Sequence, residues 1–295
     1  MFGALALAAW PASSRAASPA DEPFSFYFPT PEATVQRMLE LARVTAEDFV
    51  MDLGSGDGRI VLAAARRYGA RGLGIDIDAA LVEKSNIEAR RQKLAERVRF
   101  EVGDAVAADL SRASVITLFL LPALIARVQP KLLRELKPGT RIVAHEFPLL
   151  GWPPDETLIL YAPTRNAGDG GDSTLWLWTV PANFSGEWSW SLEALEGMPR
   201  ETASISITQR YQRASGAVRR GADLLPLTNV SVVGATLAFT CAMAGAEYHV
   251  SARMSGPGGD TLNGEARMQR GNVQRVQRFV AQRTTAPQPL DRAIP

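Results

Sequence analysis

The residues best suited to chemistry lie in one short segment, 52–59, which reads Asp-Leu-Gly-Ser-Gly-Asp-Gly-Arg. Glycines occupy every second position at Gly54, Gly56 and Gly58, and glycine allows a tight turn and a close approach of the backbone to a ligand. An apolar run enters this turn and an amphipathic run leaves it. This pattern predicts a strand, a loop and a helix whose N-terminus binds a nucleotide-like ligand.

The spacing of the glycines in this turn restricts the kind of ligand that the turn can bind. A dinucleotide fingerprint reads G-x-G-x-x-G, whereas this segment reads G-x-G-x-G, and no Gly-Lys-Ser/Thr follows, which excludes a P-loop. Asp52 stands two residues before the first glycine, where its carboxylate attracts a positive charge. The segment therefore predicts a ligand that is nucleotide-like and carries a cationic group.

Two further acids follow predicted strands. Asp76 ends the apolar segment 71–76, and Asp104 follows the segment 98–102. Asp76 lies about 20 residues beyond the glycine turn, the distance at which nucleotide-binding folds place the acid that binds the ribose hydroxyls. The next acid, Asp78, is expected to cap the following helix.

Together these motifs resemble the class I S-adenosylmethionine-dependent methyltransferases. The resemblance implies that Gly54 and Gly56 line the methionine part of the cofactor and that Asp52 holds its amino group. It also implies that Asp76 binds the ribose, that Ile77 packs on the adenine, and that Asp104 accepts from the adenine amino group. The full predicted cofactor set is Tyr27, Thr30, Asp52, Gly54, Ser55, Gly56, Asp76, Ile77, Asp104 and Ala105.

Tyr27 and Thr30 belong to this set because the resemblance implies an N-terminal arm that closes over the cofactor. Each residue also has a purely structural interpretation. Tyr27 could be a packed aromatic side chain, and Thr30 the N-cap of a helix with Pro31 in its first turn.

The sequence gives fewer signals for the methyl acceptor than for the cofactor. The segments 27–31, 52–61 and 120–122 resemble a bacterial branch near the small protein-lysine methyltransferases, over roughly residues 24–160, which implies N-methylation of a protein amine. The fourth predicted strand ends in Phe119-Leu120-Leu121-Pro122 and lacks the Asn/Asp-Pro-Pro-aromatic motif of nucleobase amine methylases. The alternatives are a small-molecule methyltransferase and a non-catalytic module that binds the cofactor or serves as a scaffold.

Catalysis of amine methylation requires loss of a proton. His145 and Glu146 end the fifth predicted strand, at the edge where ligands bind in such sheets. We expect either a base or substrate anchor at this pair, or a solvated strand end.

The periodicity predicts two domains. Alternating strands and helices over residues 17–182 indicate an α/β, doubly wound Rossmann-like sheet, closed by two antiparallel strands. Short alternating strands with Gly-rich turns over 183–280 indicate an all-β domain, an antiparallel meander or a small barrel. Residues 281–295 are predicted to be a flexible tail. The β domain either presents a substrate or partner or is a structural cap, and one of Trp188 and Trp190 is expected in its core.

Composition sets further limits. The net charge of +1 does not favour a nucleic-acid partner, and one cysteine with two histidines does not favour a metal centre. Residues 1–16 contain a short apolar run followed by the small residues Ser14 and Ala16, which is typical of a signal peptide. They predict export to the periplasm, or alternatively a cytoplasmic protein with a wrongly assigned start. The run is too short to span a membrane.

Overall fold

The structure is a computed structural model that describes residues 28–161, 171–192, 201–243, 245–256 and 258–291. The predicted signal peptide and Tyr27 lie outside the described residues. The helices that the structure describes do not combine the length and the apolar character needed to cross a membrane.

The first part of the chain alternates strands and helices as its periodicity predicts. Its elements are α1 (Glu32–Leu41), β1 (Phe49–Leu53), α2 (Arg59–Tyr68), β2 (Arg71–Asp76), α3 (Ala79–Arg91), β3 (Val98–Val102), β4 (Val115–Leu118), α4 (Pro122–Glu135), β5 (Arg141–His145), β6 (Glu156–Tyr161) and β7 (Asp172–Thr179).

These strands form one seven-stranded sheet in the order β3-β2-β1-β4-β5-β7-β6. The strands from β3 to β5 are parallel, and β7 and β6 add an antiparallel pair at the edge. α1 and α2 pack on one face of the sheet and α4 on the other. The strand order reverses between β1 and β4, and in such sheets a ligand crevice opens at that point, beyond the carboxyl ends of the strands.

The second part is a nine-stranded antiparallel sheet, as its alternating pattern predicts. Its strands are β8 (Gly186–Leu192), β9 (Glu201–Arg210), β10 (Arg213–Arg220), β11 (Asp223–Pro226), β12 (Thr228–Val233), β13 (Thr236–Met243), β14 (Ala246–Ser255), β15 (Thr261–Arg270) and β16 (Val273–Arg283).

This sheet curls into a nearly closed barrel. β16 pairs with β8, and the two edge strands β11 and β12 are separated by the single residue Leu227. The Leu227 amide donates to the Gly216 carbonyl on β10, at 2.9 Å, which continues the pairing of β11 with β10.

The interior of the barrel is filled by apolar side chains. Trp188 and Trp190 are both fully buried, and Trp190 packs against Phe239 and Phe279. We expected one of these two tryptophans in the core, and the structure instead places both of them there. Residues two apart on a strand point to the same face, so both enter the barrel together.

The two domains meet at the turn between β9 and β10. Tyr211 stacks on Trp152 of the first domain, with ring centroids 5.1 Å apart and ring planes at 6°. The Trp152 indole donates to Gln212 Oε1 at 2.9 Å. The turn of the barrel is thus anchored in the loop that follows β5.

The end of the chain differs from the predicted tail. β16 continues to Arg283, beyond residue 280, and the Tyr211 amide donates to the Leu290 carbonyl at 3.0 Å. Arg283 packs over the Trp188 ring and donates to the backbone carbonyls of Asn183 and Ser185. These contacts attach Arg283 and Leu290 to the β domain.

Candidate active site

A cavity of about 500 Å³ opens beyond the carboxyl ends of the neighbouring strands β1 and β4. This volume falls in the usual range for small-molecule and cofactor sites. Nine of the ten predicted cofactor residues line it, namely Thr30, Asp52, Gly54, Ser55, Gly56, Asp76, Ile77, Asp104 and Ala105. Residues separated by as many as 75 positions in the sequence meet there because parallel strands present their carboxyl ends at the same edge.

The glycine turn is shaped for close backbone approach. Gly54 and Gly58 have φ of 80° and 76°, a region that disfavours side chains. A Cβ at Gly54 would lie 2.8 Å from Leu120 Cδ2, and one at Gly58 would lie 2.6 Å from the Phe100 ring. Other residues would strain the turn or push its neighbours apart, so the loop requires glycine at both positions.

Asp76 links the second strand to the glycine turn. Its Oδ2 accepts from the Gly56 amide at 2.7 Å, and its Oδ1 accepts from the Asp78 amide at 3.0 Å. Asp78 caps α3 by accepting from the amides of Ala80 and Leu81, which confirms its predicted role. The Asp76 carboxylate is therefore fixed at the tip of β2, beside the cavity.

Asp52 is buried at the end of β1 and still lines the cavity. Burial raises the pKa of its carboxyl to about 7, and the neighbouring carboxylates Asp76 and Asp57 act in the same direction. The Thr117 hydroxyl opposes this by donating to Asp52 Oδ1 at 2.7 Å. A cationic group in the cavity would stabilise the ionised carboxylate.

Ser55 supports a polar ligand at the same place. Its hydroxyl is buried, lines the cavity and has no hydrogen-bond partner among the described residues. Buried polar atoms are almost always hydrogen-bonded in native proteins. The S-adenosylmethionine predicted for this cavity carries amino, carboxylate and hydroxyl groups that could supply the missing partner.

The residues that follow β3, together with residues of α4, form the other end of the cavity. Asp104 Oδ1 accepts from the Val106 amide at 2.8 Å, and its Oδ2 lies 3.8 Å from the Arg127 guanidinium of α4. Ala105 is buried, whereas Ile77 is 55% exposed at the rim. A half-exposed carboxylate beside apolar surfaces fits the predicted recognition of an adenine ring and its amino group.

Thr30 lines the cavity but does not cap α1. The helix begins at Glu32, Pro31 occupies the cap position, and no side chain caps this end. The Thr30 hydroxyl instead lies 3.3 Å from His145 Nδ1, and its carbonyl accepts from Arg59 at 2.8 Å. The N-cap prediction was wrong because partners distant in sequence hold this residue.

His145 and Glu146 lie close to the site without lining the cavity. His145 is buried, its Nε2 lies 3.1 Å from Ser173 Oγ and 3.2 Å from Glu146 Oε1, and its ring packs against Phe119 at 4.3 Å between centroids. His145 is therefore not a solvated strand end. Its role as a base, and that of Glu146, stay predictions.

Sequence reasoning did not place four further residues in the cofactor site. Phe119, Arg59 and Arg127 line the cavity, and Thr117 supports Asp52 from the neighbouring strand. Thr117 carries one usable signal, since a hydroxyl in the apolar strand β4 needs a buried partner. Within the described part of the chain, no cluster of three or more His, Cys, Asp or Glu side chains could bind a metal ion.

The doubly wound sheet, the glycine turn and the acids at successive strand ends define a class I S-adenosylmethionine-dependent methyltransferase. A family model described as the ANTKMT methyltransferase domain matches residues 52–156. A protein-lysine N-methyltransferase of Saccharolobus islandicus (strain REY15A) is 41% identical over 133 residues, which are 45% of this chain and 83% of that protein. The chain belongs to the same family of S-adenosylmethionine-dependent methyltransferases as that protein.

Two further proteins are similar to part of this chain. An adenine nucleotide translocase lysine N-methyltransferase of Mus musculus is 34% identical over 120 residues, which cover 41% of this chain and 52% of that protein. The solved structure of an RNA methyltransferase from Salinibacter ruber in complex with S-adenosyl-L-homocysteine is 43% identical, with a TM-score of 0.48. It covers 57% of this chain and 99% of that one.

Proposed function

We propose that this protein transfers a methyl group from S-adenosylmethionine to the side-chain amine of a lysine in a protein. The observation that carries the proposal is the 41% identity to a protein-lysine N-methyltransferase over 133 residues. The family model matches residues 52–156, which contain the glycine turn and the three predicted acids. The proposal is supported by one cavity that nine of the ten predicted cofactor residues line.

The residues of the cavity would divide the cofactor between them. Asp52 and Ser55 would hold the methionine end, Asp76 the ribose, and Asp104 with Ile77 the adenine. S-adenosylmethionine supplies an electrophilic methyl group on a sulfonium. Methyl transfer is an in-line displacement, so holding donor and acceptor in the aligned geometry contributes much of the rate.

The acceptor amine must be neutral to act as a nucleophile. Phe119, Leu120 and Leu121 line the cavity at the end of β4 and form an apolar wall. Burial against apolar side chains disfavours an ammonium ion and lowers the pKa of an amine. We infer that this wall favours the neutral lysine and that the displaced proton leaves to water.

The test is transfer of labelled methyl groups. The purified protein is incubated with S-adenosyl-[methyl-³H]methionine and a lysate of its source cells, and the products are separated and digested for mass spectrometry. We expect label in protein, at lysine, and loss of transfer in Asp76→Asn, which removes the charge at the tip of β2. Glu101→Gln is the matched control because Glu101 lies on β3 away from the cavity.

Other acceptors would give different products. Label in a small molecule or in RNA, with none at lysine, would contradict the proposed acceptor while leaving the methyltransferase activity intact. Absence of transfer to any fraction, with cofactor binding retained, would instead favour a module that binds the cofactor without catalysis.

We further propose that the β domain is a structural support rather than a ligand-binding module. Its interior is filled by a continuous apolar cluster that includes Trp188, Trp190, Phe239 and Phe279. Its β9–β10 turn packs on the first domain through Tyr211. Removal of this contact should weaken the first domain, whereas a binding module would leave its stability unchanged.

We also propose that residues 1–16 direct export, on the basis of their apolar run and the small residues that follow it. The alternative is a cytoplasmic protein with a wrongly assigned start. N-terminal sequencing of the mature protein tests this. A start at Ala17 supports export, and a start at Met1 or Phe2 contradicts it.

A further inference from the structure

A buried hydroxyl contacts the most buried carboxylate of the cavity. Thr117 lies in β4, fully shielded from solvent, directly opposite Asp52 of β1 in the register of the sheet. Its Oγ1 donates to Asp52 Oδ1 at 2.7 Å. The remaining residues of β4 are apolar, so a hydroxyl at this position costs free energy unless it is paired. The pairing accounts for the polar residue in this strand.

The hydrogen bond has a consequence for the orientation of the carboxylate. Asp52 lines the cavity, and among the described residues Thr117 is the only side chain that donates to it. With Oδ1 engaged by β4, the side chain is held in one rotamer. Its second oxygen is then available to a ligand in the cavity.

We propose that Thr117 is a positioning residue of the cofactor site, whose hydroxyl holds the Asp52 carboxylate in the orientation that receives the amino group of S-adenosylmethionine. The proposal concerns cofactor binding and not the methyl acceptor. It therefore stands or falls separately from the proposed lysine substrate.

The charges around Asp52 make this hydroxyl important. Asp76 from β2 and Asp57 from the glycine turn disfavour a second negative charge. The nearby cation, Arg59, makes two hydrogen bonds to Asp57, at 2.9 and 2.7 Å.

The other charged or titratable side chains near the cavity contact partners other than Asp52. Asp104 and Arg127 face each other at the far end, and His145 on β5 contacts Thr30. Thr117 thus donates to a carboxyl group whose ionisation two other carboxylates oppose. Without that donor the carboxyl group would retain its proton to a higher pH and bind the amino group less well.

The experiment is titration calorimetry with S-adenosylhomocysteine, which has the same amino group, between about pH 5.5 and 8.5. The variants are Thr117→Val, which keeps the shape and removes the hydroxyl, and Thr117→Ser, which restores it. We expect Thr117→Val to weaken binding at pH 7 about tenfold and to shift the pH dependence upward by about one pH unit. Thr117→Ser should retain the wild-type profile. Asp52→Asn should bind weakly, without pH dependence in this range.

The outcomes separate the possible errors. If Thr117→Val has the same pH profile as the wild type, or if Thr117→Ser behaves like Thr117→Val, the proposal is wrong. A pH dependence that persists in Asp52→Asn also overturns it. Thermal melting of the cofactor-free variants checks folding, and if Thr117→Val does not fold, the comparison of Thr117→Ser with Thr117→Cys, a poorer donor, decides the question. Failure of the wild type to bind would refute the cofactor site itself.

Discussion

Asp52→Asn should stabilise the cofactor-free protein at high pH, although it removes the carboxylate that we propose holds the cofactor. Burial raises the pKa of the Asp52 carboxyl from 3.8 to about 7. The folded protein therefore binds a proton more tightly than the unfolded chain does. Between these two pH values the folded state holds the proton and the unfolded state has lost it, so the free energy of unfolding falls as the pH rises.

The magnitude follows from the size of the shift. One pKa unit corresponds to about 1.4 kcal/mol, so the ionised carboxylate costs the cofactor-free fold about 4 kcal/mol above pH 7. At pH 5 only about 2 kcal/mol of this cost is present. Asparagine mimics the protonated acid and carries no such cost. The stability advantage of Asp52→Asn should therefore be between about 2 and 3 kcal/mol larger at pH 8 than at pH 5.

The assay is urea unfolding of cofactor-free protein at the two pH values, followed by circular dichroism at 222 nm. The helices that the structure describes all lie in the first domain, so this signal reports on the domain that contains Asp52. Asp104→Asn is the control, because Asp104 is a half-exposed carboxylate of the same cavity. An Asp52→Asn advantage that does not grow between pH 5 and pH 8 would refute this account of Asp52.

Three further predictions use other parts of the chain. Gly58→Ala should lower the free energy of unfolding by about 2 kcal/mol more than Gly221→Ala. Both glycines have positive φ, but only a Cβ at Gly58 would meet a neighbour, the Phe100 ring. Equal losses of stability in urea unfolding would contradict this prediction. Tyr211→Ala should destabilise the first domain by about 3 kcal/mol, because Tyr211 is buried against Trp152, whereas the exposed Tyr161→Ala should change it by less than about 0.5 kcal/mol. Burial raises the pKa of the Cys241 thiol to about 11, so a thiol reagent at pH 8 should label the protein only after denaturation; rapid labelling of the native protein would show that the barrel opens.

Local sequence patterns were sufficient for the part of the site built on turns and strand ends. The alternating glycines required a tight turn, and the acids at the carboxyl ends of β1, β2 and β3 had to reach the same edge once these strands were parallel. The antiparallel strands of the β domain followed from alternation together with the Gly-rich turns. These features depend on neighbours within a few residues, or on a rule that all parallel sheets obey.

The contacts between distant segments could not be predicted in the same way. Thr30 has the residue type and position of an N-cap, yet its hydroxyl contacts His145, which is 115 residues away in the chain. The contact between the domains, in which Tyr211 stacks on Trp152, depends on where the β9–β10 turn lies on the first domain. Such pairings are selected by the packing of complete elements, which no short segment encodes.

The sequence by itself therefore determined the methyl donor, S-adenosylmethionine, from a glycine turn and three acids at successive strand ends. Only the tertiary structure decided how those acids are held. It paired Asp52 with Thr117 across two strands, buried His145 in contact with Thr30, and left an apolar wall at the end of β4. The physical reason is that residue type and spacing define what a side chain can bind, whereas burial and partners, which set its charge and orientation, depend on the folded neighbours.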